Sequence, residues 1–70
     1  MIQYAEPTVD LNKVKQIRRQ KRITLDVAAR YLGFRTASPL SKRENGLHKF
    51  RGDELFKLAA LYECEVTDFL

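Results

Sequence analysis

The sequence predicts an all-α fold, five short helices packed into one bundle, and three observations carry that expectation. Apolar residues recur at spacings of three and four in successive segments. Each segment is bracketed by residues that start or stop helices. No Val/Ile/Thr-rich alternation that would make a sheet is found anywhere in the chain. Seventy residues with 44% apolar content fit a single domain near the lower size limit for a core without staples.

Residues 1–9 read as an N-terminal arm, because Pro7 disfavours helix at Glu6 and Ile2 and Tyr4 alternate with polar residues. The folded domain is expected over 10–70. Asp10 is suited to cap the first helix, with Val9 and Val14 in the two positions of a hydrophobic staple. That helix should run from about Leu11 to Lys21, burying Leu11, Val14 and Ile17 and presenting Lys13, Lys15, Arg18, Arg19 and Lys21 on its other side. Thr24 caps the second, which carries Leu25, Ala28, Ala29 and Leu32 and stops at Gly33. Gly46 limits the third to a short helix near 37–44. Asp53 and Glu54 suit the start of a fourth, with the stripe Leu55, Leu58, Ala59 and Tyr62. Glu65 could cap a last turn through Val66 and Phe69.

Charge is distributed unevenly. Residues 11–51 hold twelve Lys/Arg against two acids, whereas 52–70 hold one Lys against five acids. A basic body with an acidic end is the electrostatic pattern of a nucleic-acid binder that keeps one side off the polyanion. A solvated basic face with no partner would look the same. The single cysteine, Cys64, excludes an internal disulfide and offers no thiolate pair for zinc, so neither metal nor cofactor is expected. No apolar run reaches the roughly 18 residues of a membrane span, and MIQYAEPT lacks the pattern of a signal peptide. A cytoplasmic protein is expected. Enzyme chemistry has little support: neither Ser38 nor Ser41 has a His/Asp in triad order, and there is no paired-carboxylate cleft or phosphate-binding glycine loop.

The second and third helices share a feature. Small Ala29, permissive Gly33, and the apolar Leu32, Phe34 and Leu40 meet the physical needs of two helices crossing at a tight turn. With Thr24, Ala28-Ala29, Leu32-Gly33-Phe34, Ser41-Lys42, Glu44-Asn45-Gly46 and the closing DELFKLAALYECEVTDFL, residues 10–70 resemble the Cro/phage-repressor type (XRE family) of helix-turn-helix regulators. The resemblance implies a compact five-helix lambda-repressor-like domain whose helices 2 and 3 form the helix-turn-helix. It implies a sequence-specific transcriptional regulator of double-stranded DNA, a repressor of a phage or mobile element, working as a homodimer on its operator. Phe56, Ala60 and Leu70, or Ile2 and Tyr4 of the arm, are candidates for the dimer contact.

Carried over residue by residue, the resemblance implies base contacts from Thr36, Ala37, Ser38, Ser41 and Lys42. It implies phosphate contacts from Thr24, Arg35, Arg43, Asn45, Lys49 and Arg51. Three departures stand out. The stretch from Phe34 to Asn45 is one residue longer than the family usually has. Arg43 stands at a position that is usually apolar, so its stem is expected along the core with the guanidinium reaching solvent or phosphate. Pro39 is uncommon there and is expected to lie in the first turn of helix 3, after a cap at Thr36 or Ser38. Arg18, Arg19 and Arg22 read as a solvated face, His48 as a plain loop residue and Cys64 as a buried thiol. The competing function is an antitoxin or antirepressor-type protein-interaction module, with the acidic 52–70 segment and Phe56 as its surface.

Overall fold

The computed structural model describes residues 8–70; the expectations for Ile2 and Tyr4 lie outside these residues. Four α-helices follow in order: α1 (Leu11–Gln20), α2 (Leu25–Tyr31), α3 (Ser38–Glu44) and α4 (Gly52–Tyr62). A 3-10 helix, Val66–Phe69, closes the chain, and the described residues contain no strand. The fifth element is therefore not an α-helix. Its bonds run from Asp68 N to Glu65 O and from Leu70 N to Thr67 O, three residues back, over a span too short for a stable α-turn.

Local chemistry accounts for most boundaries. The Asp10 carboxylate accepts from the amides of Asn12 and Lys13 at the head of α1, and the Thr24 hydroxyl accepts from Val27 at the head of α2. Before α4, Glu54 reaches back to the Arg51 amide at 2.9 Å. The head of α3 differs from expectation. Neither Thr36 nor Ser38 caps it; the cap position is Ala37, whose φ of −73° and ψ of −18° are already helical and whose side chain offers no acceptor. Pro39 then lies in the first turn, where its missing N–H has no intrahelical partner to lose.

All four helices end the same way. After α2, Phe34 N bonds Ala29 O and Gly33 N bonds Arg30 O, and Gly33 takes a φ of +95°. After α3, Leu47 N bonds Lys42 O and Gly46 N bonds Arg43 O, with Gly46 at +80°. The same six-to-one bond closes α1 (Ile23 N to Arg18 O) and α4 (Cys64 N to Ala59 O). In those two helices the left-handed residue is not glycine but Arg22 (φ 56°) or Glu63 (φ 55°).

The core comprises Val14, Ala28, Ala29, Leu40, Leu55, Leu58, Ala59, Tyr62 and Phe69. α2 packs on α3 and α4; α1 packs on α3 and on the 3-10 helix. Ala28 and Ala29 are fully buried, and their small side chains let α2 lie close to its neighbours. The start of α1 is joined to the last turn of the chain by Asp10 N to Phe69 O at 2.6 Å. Lys13 Nζ reinforces that junction by donating to Leu70 O. Tyr62 is fully buried, edge-on to Phe69, and its hydroxyl has no partner among the described residues. Burial first, and the Glu44 carboxylate second, push its pKa well above the ordinary value.

Two outcomes follow from these features. A non-glycine residue in the left-handed region costs roughly 1 kcal/mol. Arg22→Gly and Glu63→Gly should therefore each raise the thermal midpoint by about 2–4 °C, after the entropy that glycine adds to the unfolded chain. Tyr62→Phe removes an unpartnered buried hydroxyl and should raise stability by up to about 1 kcal/mol. The contribution of a hydroxyl whose pKa is raised in the folded state is full below its ordinary pKa of about 10 and is lost as pH rises beyond it. Denaturant melts at about pH 8 and about pH 11 should show a smaller alkaline loss for the phenylalanine variant; an equal loss would exclude Tyr62 as its source.

Candidate nucleic-acid interface

The residues with nucleic-acid chemistry gather around α3. Its inward face is made by Leu40 and Glu44, both buried, with Arg43 beside them. On the 3.6-residue period the opposite stripe is Ser38, Ser41, Lys42 and Asn45. Ser38, Lys42 and Asn45 are exposed and Ser41 is half-buried. Thr36, in the turn, is exposed, and Ala37 at the head of α3 is half-buried. Four of the predicted base-contacting residues, Thr36, Ser38, Ser41 and Lys42, thus combine a side-chain donor or acceptor with at least partial exposure around one short helix.

Their hydrogen-bonding states differ. The hydroxyls of Thr36 and Ser38 and the Lys42 ammonium bond to no described residue. Ser41 Oγ accepts from Asn45 Nδ2 at 3.3 Å, and Asn45 Oδ1 accepts from Lys15 Nζ at 3.4 Å. This short chain brings a cation from α1 to the end of α3, which spacing within either helix could not reveal.

The predicted phosphate contacts separate into two groups. Arg35 and Lys49 are exposed and form no ion pair with the described residues. Arg51 is exposed but pairs with Asp53 at 3.1 Å, a surface contact that a competing anion can displace at little cost. Thr24 uses its hydroxyl on its own helix. Asp26 lies in that first turn, paired with Arg30 at 3.1 Å, and a carboxylate there opposes a second anion.

Arg43 requires a correction. Its guanidinium is engaged inside the fold rather than extended into solvent. Nε donates to Glu54 Oε1 at 2.9 Å, Nη1 donates to Pro39 O at 3.0 Å, and the group lies 4.8 Å from the Phe34 ring centroid. With its side chain 15% exposed and its partner's 8%, it is committed within the fold and leaves the set of phosphate contacts. The physical reason is the carboxylate at the head of α4, a partner already desolvated and within reach.

Arg18 is also not on a solvated face. It is buried and forms a two-point pair with Glu44: Nε to Oε2 at 2.8 Å and Nη2 to Oε1 at 3.2 Å. Its remaining arm donates to Ile23 O at 2.9 Å. A pattern signal existed: Arg18 lies four residues after Val14 and Glu44 four after Leu40, so each continues a buried stripe with opposite charge.

Away from α3, a shallow cleft between α4 and the 3-10 helix is lined by Phe56, Ala60, Cys64, Val66 and Thr67. Phe56 and Ala60 are exposed there. Burial, with Asp68 nearby, pushes the Cys64 thiol pKa up, which keeps it protonated and a poor nucleophile at neutral pH. Among the described residues no three His, Cys, Asp or Glu side chains converge as a metal site, and no helix is long and apolar enough to cross a membrane.

The buried pair generates a stability prediction. Arg18→Met should cost about 3–5 kcal/mol by stranding Glu44, while the double variant Arg18→Met/Glu44→Leu should recover most of the loss. Chemical denaturation of the three proteins checks it; equal loss in single and double variants would mean the charges are not what Arg18 supplies. No protein-family model, curated protein or solved structure matches the chain.

Proposed function

We propose that the chain is a sequence-specific double-stranded DNA-binding regulator that inserts α3 into the major groove as the recognition helix of a helix-turn-helix formed with α2. The observation that carries the reading is the outward stripe of α3, where Ser38, Ser41 and Lys42 stand exposed or half-exposed, flanked in the sequence by the exposed cations Arg35 and Lys49, which form no ion pair with the described residues. A helix of this size fits the major groove, with its N-terminal half nearest the base edges. Lys42 is the proposed donor to guanine O6/N7. The hydroxyls of Thr36, Ser38 and Ser41 serve several bases, and Ala37 packs on a thymine methyl. Arg35, Asn45, Lys49 and, once released from Asp53, Arg51 bind phosphate and set register. Thr24 is the weakest of these contacts, for the reason that Asp26 supplies.

Neither arginine nor glutamine stands on the central groove-facing positions, so intrinsic selectivity is modest and DNA shape supplements it. A homodimer on a two-fold operator, in the cytoplasm, and repression within a phage or mobile element complete the reading; these rest on the family resemblance. One observation favours a second function, a protein-interaction module of the antitoxin or antirepressor type. Phe56 is 69% exposed beside the acidic C-terminal segment.

Duplexes selected from a random pool decide between the two. For a DNA binder, the logarithm of affinity should fall with the logarithm of salt at a slope of about −0.9 per phosphate neutralised. A shallow slope would favour the protein-interaction reading. On the selected duplex, Lys42→Ala should relax preference at one base position, a loss of about 1–3 kcal/mol, whereas Lys49→Ala should weaken all duplexes alike and reduce the slope by about one. Uniform loss from both would mean that α3 is not the reading helix.

A further inference from the structure

We infer that Arg43 is a positioning residue that sets the rotation of α3 and thereby governs selectivity among duplexes without touching DNA. The inference rests on the DNA-binding reading. It begins from the weakness of the α2–α3 connection. After Phe34, the amides of Arg35, Thr36 and Ala37 donate no backbone hydrogen bond to a described residue, and α3 begins without a side-chain cap. Ala37 O accepts from Ser41 N within α3, but the amides on the turn side give the proposed reading residues no further hold.

Arg43 supplies the missing hold. Its guanidinium faces the Phe34 ring in the turn, donates to Pro39 O in the first turn of α3, and donates to Glu54 at the head of α4. Glu54 Oε1 also accepts the Arg51 amide, so the acceptor is itself held in place. One planar group joins three segments in a site sheltered from water, where charge-assisted bonds are short and directional. A lysine ammonium could keep the charge but could not stack on the ring and donate along two fixed directions together.

The neighbouring residue gives this hold its meaning. Glu44 ties α3 to α1 through Arg18, while Arg43 ties it to α4 through Glu54. Consecutive helical residues point about 100° apart. Two ties at that angle resist rotation of α3 about its own axis, which either alone would permit. Loss of the Arg43 tie leaves Leu40 and Glu44 to hold depth but frees rotation. A turn of about 20° moves a side-chain tip about 5 Å from the axis by nearly 2 Å, beyond the tolerance of a hydrogen bond to a base edge. Arg35, Lys42 and Lys49 keep their charges throughout, so general attraction to duplexes should survive.

The test uses the full chain and two duplexes of equal length, one enriched from a random pool and one scrambled. Affinity is measured across a salt series for the native protein, Arg43→Lys and Arg43→Met. Both variants should lower the enriched-to-scrambled ratio about tenfold, with scrambled-duplex affinity within about twofold of native and the salt slope unchanged. Full retention of the ratio by Arg43→Lys would overturn the inference in favour of a simple charge contact. So would uniform weakening with a slope reduced by about 0.9 in Arg43→Met. A lowered melting temperature with an unchanged ratio would leave Arg43 structural only and would also overturn it. If either variant fails to fold, Phe34→Leu, which removes the stacking face but keeps apolar bulk, should lower the ratio about threefold, and an unchanged ratio there overturns the inference. A native protein with no steep salt dependence would defeat the DNA-binding reading itself, seen without any variant, and the role of Arg43 with it.

Discussion

The Arg18–Glu44 pair is the constraint on which the remaining architecture depends. Arg18 lies near the end of α1 and Glu44 at the end of α3, so the pair fixes two elements that are distant in sequence. The third donation, to Ile23 O, extends the grip to the connection between α1 and α2, and Ile23 N returns a bond to Arg18 O. One side chain thus joins the end of α1, the connection to α2 and the end of α3. A buried ion pair is weak evidence for net stability, because desolvation offsets most of the attraction. Its value here is directional: an apolar contact would tolerate sliding, whereas a two-point guanidinium–carboxylate contact does not.

The exposed stripe of α3 is a consequence of this internal arrangement. α3 has only seven residues, too few to stand alone in water. Leu40 anchors it in the core, and Arg43 and Glu44 both turn inward, so the stripe left to solvent is Ser38, Ser41, Lys42 and Asn45. Arg43, which in the sequence reads as a phosphate contact, is engaged within the fold, and Glu44 beside it is buried. What remains outside is polar and carries one cation, Lys42, that forms no ion pair with the described residues.

Much of the fold was legible in the sequence, for identifiable reasons. Asp10, Thr24, Gly33 and Gly46 act through bonds within a few residues of themselves, so spacing alone places them. The stripe Leu55, Leu58, Ala59 and Tyr62 follows the helical period and is buried as expected. The misreadings involve arginines whose partners lie far along the chain: Arg18 is 26 residues from Glu44 and Arg43 is 11 from Glu54. A charged residue carries no local mark of burial, and only its place on a stripe distinguishes the interior arginine from the solvated one. Helix caps of the ordinary kind also misled at Thr36 and Ser38, because Ala37 enters helical geometry before a hydroxyl could be used.

The bond from the Asp10 amide to the carbonyl of Phe69 joins the first helix of the described fold to its 3-10 helix. Phe69 is also a fully buried part of the core, so one residue both completes the head of α1 and covers the apolar surface beneath it. A contact of such sequence separation is slow to form, because loop-closure entropy opposes it before packing rewards it. Losing it would open the head of α1 and wet the core together, so the two ends of the fold stand or fall as one cooperative unit.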